Sequence, residues 1–439
     1  MRKGKRWLAA AVSAAMIVQS LASVGPVYAA DDGVSIADTF TDSSFRSYVS
    51  SNFDTDSNGY LSDAEISNVT SIDVSKCSPA ISSLNGVELF TNLSKLDCNE
   101  QSIRNLDIEN LENLEYIDVS SNRIDSLTLP VSAEKLTYLD ISGNKITSLT
   151  SLADYNNLVL LNANSTNLSS IDVSNMKGLK VLGVSGTTIS TLDLGSNMEL
   201  TTLYCDSMRS LPVLDVSGHE KLKNLYCAGA KSDSGVVVRS SITKLDVSGD
   251  IVLGSLDCSN SYVAEVNIDN TPALTTLDCS NTRLTSIDVS KNTSLSYLDV
   301  SSNVLGAVDF TANTALRELY VKDTGINKLD VSTLTNLVNL DASSNSLAEL
   351  DIASNSLLEK LYISDNNIQG IKLDGHPDLK ELEIDNNNLV AIDISVCPKL
   401  YGDDGVFSCS GNSRDMESIM FLLEKLEVAT DSSGDFYEK

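Results

Sequence analysis

The side chains best placed to do chemistry fall in one short acidic stretch, Asp54-Thr55-Asp56-Ser57-Asn58-Gly59-Tyr60-Leu61-Ser62-Asp63-Ala64-Glu65. Asp54, Asp56 and Asn58 offer side-chain oxygens at loop positions 1, 3 and 5, and Gly59 makes the sharp turn at 6. Tyr60 offers its backbone carbonyl at 7, Ser62 acts through water at 9, and Glu65 closes the shell with both oxygens at 12. Oxygen-only donors at that spacing suit a hard divalent cation, and the pattern is that of an EF-hand calcium loop. The flanks agree. Phe45, Tyr48, Val49 and Phe53 form one apolar face at helical spacing before the loop, and Ile66 and Val69 fall in a second short helix after it. The competing reading is a loop kept only as a cap, without an ion. No second loop is found to pair with this one, so the expected affinity is modest, on the order of 10⁻⁴–10⁻³ M as in extracellular modules.

No other group of residues converges on a reaction. His219 and His376 are the two histidines, each in a turn, Gly218-His219-Glu220 and Gly375-His376-Pro377. The sequence has no His-Glu-x-x-His, no Gly-x-Ser-x-Gly, no phosphate-cradling glycine loop and no closely spaced cysteine pair. The chain reads as a non-enzyme.

The element that must position the rest is a repeat. Leucines open successive copies at 93, 114, 136, 158, 179, 200, 222, 253, 274, 295, 316, 337, 358 and 379. The spacing is 21 or 22 residues, with one step of 31. A copy such as Leu274-Thr-Thr-Leu277-Asp-Cys279-Ser-Asn-Thr282-Arg-Leu284 follows Leu-x-x-Leu-x-Leu/Cys-x-x-Asn/Thr-x-Leu, the signature of a leucine-rich-repeat solenoid. Positions 1, 4, 6, 11, 14 and 16 are apolar and should stack into one core. The short Leu-x-Leu segment should give one strand of a parallel sheet on the concave face. At about 4.8 Å per strand, the copies make a ladder on the order of 65 Å long.

Position 5 of the strand points away from the core and carries Tyr204, Tyr226, Asp257, Asp278, Asp299, Tyr320 and Tyr362, with a second acidic run at Asp97, Asp118 and Asp140. Position 3 adds Tyr116, Tyr138 and Tyr297 to the same face. Carboxylates roughly 5 Å apart repel by about 0.8 kcal/mol in bulk water and about 3 kcal/mol at an effective dielectric of 20, so cations, a basic partner or proton uptake should offset them. Tyrosine brings contact area and a polar tip at low entropy cost. The face is therefore read as docking a protein or a glycan; the bland alternative is a solvated polar face. A further aspartate column in the return leg (Asp172, Asp193, Asp215, Asp246, Asp288, Asp309, Asp330, Asp351, Asp393) precedes a small residue by two and reads as turn structure.

The N-terminus pairs basic Arg2-Lys3-Gly4-Lys5-Arg6 with an apolar run to Val24 and the small-residue exit Val27-Tyr28-Ala29-Ala30, which reads as a cleaved secretory signal over residues 1–30. Its loss removes only basic residues, so the mature chain is more acidic than the −29 of the full sequence. Such a chain repels nucleic acid and anionic lipid and favours cations or basic partners. No later stretch is apolar enough to span a bilayer. Five of the eight cysteines (Cys98, Cys205, Cys227, Cys258, Cys279) fall at repeat position 6, where other copies carry Val or Ile, and read as small core residues. Cys77, Cys397 and Cys409 fall outside that column, which leaves a Cys397–Cys409 bridge open. The long step holds an insertion of about ten residues before Ile242, read as a surface loop.

The combination of an EF-hand unit and a following leucine-rich array resembles the internalin-like proteins of Gram-positive bacteria, over about Asp42 to Leu400. It differs in its second turn, Leu245-Asp246-Val247-Ser248, and in an asparagine column that is often Thr, Ser or Ala. The expected layout is a helical EF-hand-like cap over 31–80, repeats over 81–400 in about 14 copies, and a C-terminal cap with a helix over 414–426 and a loose tail over 401–439. The expected function is recognition at or beyond the cell surface, with Ca²⁺ in the loop; the alternative is a surface component that self-associates through calcium and its acidic faces.

Overall fold

The computed structural model describes residues 33–149, 152, 155–231, 236–402, 404–412, 429–430 and 436–437. The leader and the 414–426 helix lie outside the described residues. Sixteen three-residue strands run parallel and in chain order in one sheet, from Ser71–Asp73 to Val406–Ser408. The sheet is thus one strand longer at each end than the leucine-led copies, on the order of 70 Å in all. Register is set by the central apolar residue of each strand, as in Leu96↔Ile117, Leu182↔Leu203 and Leu361↔Leu382. A strand side chain at position 4 points inward and those at 3 and 5 outward, so a slip of one residue would bury the acids.

The expected core forms. Leu93, Leu96, Cys98, Ile103 and Ile108 are fully buried, and their counterparts stack rung on rung. Burying each leucine side chain is worth about 1.5–3 kcal/mol. Position 14 sits at the rim in many rungs, where Ile171, Leu192, Ile287 and Leu329 are only partly buried. A seventh buried column lies three residues before each opening leucine; Met176, Asn197, His219, Asp250, Asn292 and His376 belong to it.

Polar residues close the turns. After most strands of the long sheet the chain passes through the left-handed region, at φ +54° for Ser121, +52° for Asn281 and +57° for Asp365. Short polar side chains tolerate that conformation better than branched ones. The asparagine column then ties rungs together. Asn122 accepts the Ile103 N–H (3.0 Å) and donates to the carbonyls of Cys98 (2.8 Å) and Val119 (3.1 Å). Asn144, Asn303, Asn366 and Asn387 repeat this. In the return leg each expected aspartate accepts the N–H two residues on, as at Ser174→Asp172 (3.0 Å) and Ser332→Asp330 (2.9 Å), which makes that column structural.

The cysteines correct one expectation. Cys397 and Cys409 are both free and buried, so no bridge joins them. Cys397 sits in the column three before an opening leucine, and Cys409 follows the strand Val406–Ser408 as Cys98 follows Lys95–Asp97, inside the position-6 column after all. Cys205, Cys227, Cys258 and Cys279 occupy four successive rungs, with Cys258 Sγ 3.3 Å from Cys279 Sγ. The insertion forms a two-stranded hairpin, Ala230–Lys231 against Val237–Val238. Arg239 fastens it by donating to the Ser261 carbonyl at 2.9 Å and by lying against Tyr262, whose other neighbour is Arg283.

Candidate functional site

The acidic loop is carried between the helices Ser43–Asn52 and Asp63–Asn68. Asp42 caps the first by accepting from Ser44 and Phe45 N–H, and Ser62 with Glu65 forms a capping box on the second. The first helix buries Phe45 and Val49, with Phe40 and Phe53 stacking on Phe90 at the start of the array. Asp73 of the first long-sheet strand donates its N–H to the Tyr48 hydroxyl (3.2 Å). The loop and the solenoid's open end are therefore one packed unit.

Within the loop, carboxylate oxygens of Asp54, Asp56 and Glu65 lie within 4.8 Å of one another. Asp54 is nearly buried and takes the Asn58 N–H (3.1 Å) and Gly59 N–H (3.0 Å). Asn58 Oδ1 takes the Tyr60 N–H at 2.7 Å. Gly59, at φ +85°, makes the turn where a side chain would be strained. Glu65 accepts from Thr55 N–H and hydroxyl and from Ser62 N–H and hydroxyl, and these bonds hold its carboxyl down at about 2. The set is all oxygen and convergent, which fits a calcium-sized cation. Leu61 at position 8 pairs with Val34, so Val34–Ser35 supplies in cis the short antiparallel partner that a second loop would give.

On the strand face, the seven position-5 residues singled out in the sequence share one side of the sheet. Tyr204 and Tyr226 are on adjacent strands with rings stacked at 5.1 Å. Asp257, Asp278, Asp299 and Tyr320 follow on the next four, and Tyr362 comes two strands after Tyr320, beyond Asp341. Tyr320 and Tyr362 are less available, because their hydroxyls donate to Glu318 (2.7 Å) and Glu381. Burial, reinforced by Asp257, lifts Asp278 to about 6; burial also raises Asp299. Half of each acid is already spent: Oδ1 of Asp257, Asp278 and Asp299 accepts the N–H of Ser259, Ser280 and Ser301 at 2.8–3.0 Å, leaving Oδ2 outward. The same Asp-x-Ser signal that marks the return-leg turns was present in the strand column.

Two features escape a reading of position 5 alone. Tyr116 and Tyr138 stack at 4.3 Å, and in the same position-3 column Leu160 and Val181 continue the row on the next two strands. Asp206, just past the Tyr204 strand, is lifted by burial to about 6 while accepting the Ala228 N–H at 2.9 Å. Reading position 3 as a register column would have found the first. The histidines are elsewhere: His219 and His376 are buried in the core, each with both ring nitrogens 2.8–3.2 Å from backbone carbonyls.

Comparisons place this geometry among known folds. The families described as Leucine Rich repeats (2 copies) and Leucine Rich repeat match residues 112–154 and 291–309. A comparison with curated proteins finds no match. Among solved structures, the functional domain of InlJ from Listeria monocytogenes, described as including a cysteine ladder, is 30% identical with a TM-score of 0.74, covering 86% of this chain and 80% of that one. The internalin InlF from the same species is 18% identical at TM-score 0.54, covering 86% and 97%. The Yersinia pestis effector YopM is 22% identical at TM-score 0.52, covering 71% and 89%. The last two are likenesses of fold alone.

Proposed function

We propose a function from one established premise: the chain belongs to the internalin-like leucine-rich-repeat family. Its reading is a secreted or surface-associated, non-enzymatic recognition protein that docks a partner protein on the concave strand face. The observation that carries this is the continuous outward row on in-register strands, in which tyrosine pairs interrupt aspartate runs. A glycan is the weaker occupant, because sugars stack on open aromatic faces. Here Tyr204 stacks on Tyr226 and Tyr116 on Tyr138, so each pair covers one aromatic face of each ring. Burial of both histidines away from the face supports binding rather than catalysis. Among the described residues, no helix is long and apolar enough to cross a membrane.

Calcium, held by Asp54, Asp56, Asn58, the Tyr60 carbonyl, Ser62 and Glu65, would firm the N-terminal end of the array in this reading. The experiment is capture from host extracellular proteins and bacterial wall glycans by residues 31–439, with and without calcium. A parallel arm carries Tyr204, Tyr226, Tyr320 and Tyr362 changed to Ser. Protein capture lost in the tyrosine variant is the expected result. Equal capture by both would move the site off the strand face, and assembly with calcium in the absence of any captured ligand would favour the structural alternative. For the loop, calcium should raise the melting temperature of the wild type and not that of Glu65→Gln.

A further inference from the structure

Four successive rungs interrupt the acidity of the strand face. Their outward pairs are Leu160 with Asn162, Val181 with Gly183, Thr202 with Tyr204, and Asn224 with Tyr226. No carboxylate stands at position 3 or 5 in this window, yet Asp140 borders it on one side and Asp257 on the other. The window has its own chemistry. Leu160 and Val181 are half-buried neighbours, with the stacked Tyr116–Tyr138 pair beyond one end and Tyr204–Tyr226 at the other. At its centre Gly183 lacks a side chain, and the amides of Asn162 and Asn164 lie over it, 2.8 Å from where a Cβ would stand. Asn162 Nδ2 donates to Asp140 Oδ2 (2.8 Å) and Asn164 Oδ1 accepts the Ser185 N–H (2.7 Å), so both amides are held in place. The bordering acids are fixed to different extents: Ser259 N–H binds Oδ1 of Asp257, whereas Asp140 is buried with Oδ1 held by Ser142 and Oδ2 by Asn162.

We propose that this face takes one extended polypeptide segment with an uncharged, partly apolar middle and a cationic cluster at each end, the middle lying on Leu160, Val181 and the Tyr204–Tyr226 pair and the clusters facing the acidic runs that end at Asp140 and begin at Asp257. The inference rests on the strand-face reading above and names the partner's chemistry. Charge complementarity selects a cationic partner, the apolar window excludes a uniformly charged one, and oriented amides suit peptide backbone. Spacing follows from the fold. Five strand steps separate Asp140 from Asp257, about 24 Å, which an extended chain covers in about seven residues.

The test is selection from a phage-displayed library of random 15-residue peptides on folded residues 31–439, then affinity measurement with the synthetic consensus. The expected consensus has Lys or Arg clusters about seven residues apart, with Leu, Phe or Tyr between them. Val181→Glu, on a half-exposed position where the fold should persist, is expected to weaken the consensus peptide by about tenfold or more. Asp257→Asn should weaken it several-fold and flatten its salt dependence. Circular dichroism melts accompany each variant, and Val304→Ala, at an exposed position outside the strand face, serves as a silent control. A consensus without paired cationic clusters, binding unchanged by Val181→Glu, or full displacement by spermine would overturn the proposal. If those results come while tyrosine-dependent protein capture persists, the strand-face function stands and only this partner chemistry falls.

Discussion

The outer rungs of the solenoid are tied by asparagine, while the central ones are tied by threonine or serine, or not at all in this column. Asn122 and Asn144 serve the N-terminal side, and Asn303, Asn345, Asn366 and Asn387 the C-terminal side. Between them the column reads Thr166, Thr187, Met208, Ser240, Ser261 and Thr282, and on the C-terminal side a single threonine, Thr324, stands between Asn303 and Asn345 and bonds to the latter. An asparagine bridges two rungs by satisfying an N–H of one and carbonyls of both. The hydroxyl of Thr187 reaches the Val184 carbonyl of its own rung (2.8 Å), with only the soft Met208 sulfur beyond it at 3.5 Å. The same central rungs hold the cysteine ladder, the hairpin insertion and the uncharged window. The uncharged window of the strand face thus coincides with the weakest inter-rung tie in this column, and stability rests more on the flanks.

The largest effect should come from breaking a flank tie. Asn366→Ala removes the acceptor for the buried Leu347 N–H (2.9 Å) and the donor for the Ala342 carbonyl (3.0 Å). Orphaned buried backbone groups cost about 1–3 kcal/mol each, so a loss on the order of 3 kcal/mol is expected. Thr187→Ala should cost only about 1 kcal/mol. Urea titrations of the two variants check this, and equal losses would dissolve the contrast. The reverse change, Thr187→Asn, should stabilise by about 1 kcal/mol if the central rungs can still accept the tie.

Intermediate in size is a pH effect that is largest in the centre, although burial also raises Asp97 and Asp118 in the N-terminal flank. Burial raises both Asp206 and Asp278 to about 6 in the folded chain, against 3.8 for the free group. Between those values the folded state binds more protons than the unfolded one, so this contribution to stability is greatest at the acid end and declines as pH rises from about 4 to about 6. Asp206→Asn with Asp278→Asn should therefore raise the melting temperature by a few degrees at pH 7.5 and scarcely change it at pH 4. The return-leg acids behave oppositely. Side-chain and backbone hydrogen bonds from Ser332 lower Asp330, so its contribution is present above the free-group value and fades as pH falls below it. Asp330→Asn should lose, not gain, at pH 7.5. A matching gain would mean that hydrogen bonding does not govern that column.

Much of this was legible in the residues. A fixed period names the solenoid because identical units can bury leucines only by stacking, and position 5 alternates outward for the same reason that position 4 goes in. The calcium-type loop was legible because each of its positions has its own chemical requirement. What the period hid were features set by the neighbouring rung. Cys409 belongs to the cysteine column, yet its strand, Val406–Ser408, opens without the leucine pattern. His219 and Asp250 look like turn residues in the sequence but lie buried, because the turn folds back under the next rung, where the His219 N–H reaches Asp250 Oδ1 at 2.8 Å. The Leu160–Val181 window appears only when two position-3 residues a whole copy apart are placed side by side.

The smallest effects belong to the cysteine ladder, and they sharpen the comparison most directly. Cys205, Cys227, Cys258 and Cys279 are fully buried where Val119, Ile141 and Val300 stand in the flanks. Cys258→Val alone is a near-isosteric apolar exchange and should move stability by less than about 1.5 kcal/mol. The four changes together should cost more than their sum, since the added methyl groups of adjacent rungs share one space. The thiols also report opening. The Cys258–Cys279 contact and burial hold Cys279 well above the usual thiol range, so it reacts only when its rung opens. If central ties are weaker, a maleimide in excess should label Cys227 and Cys258 before Cys98, whose rung adjoins the Asn122 tie. Labelling of all of these cysteines at one rate would mean that the array opens as a single unit, and that the missing asparagines cost the centre nothing.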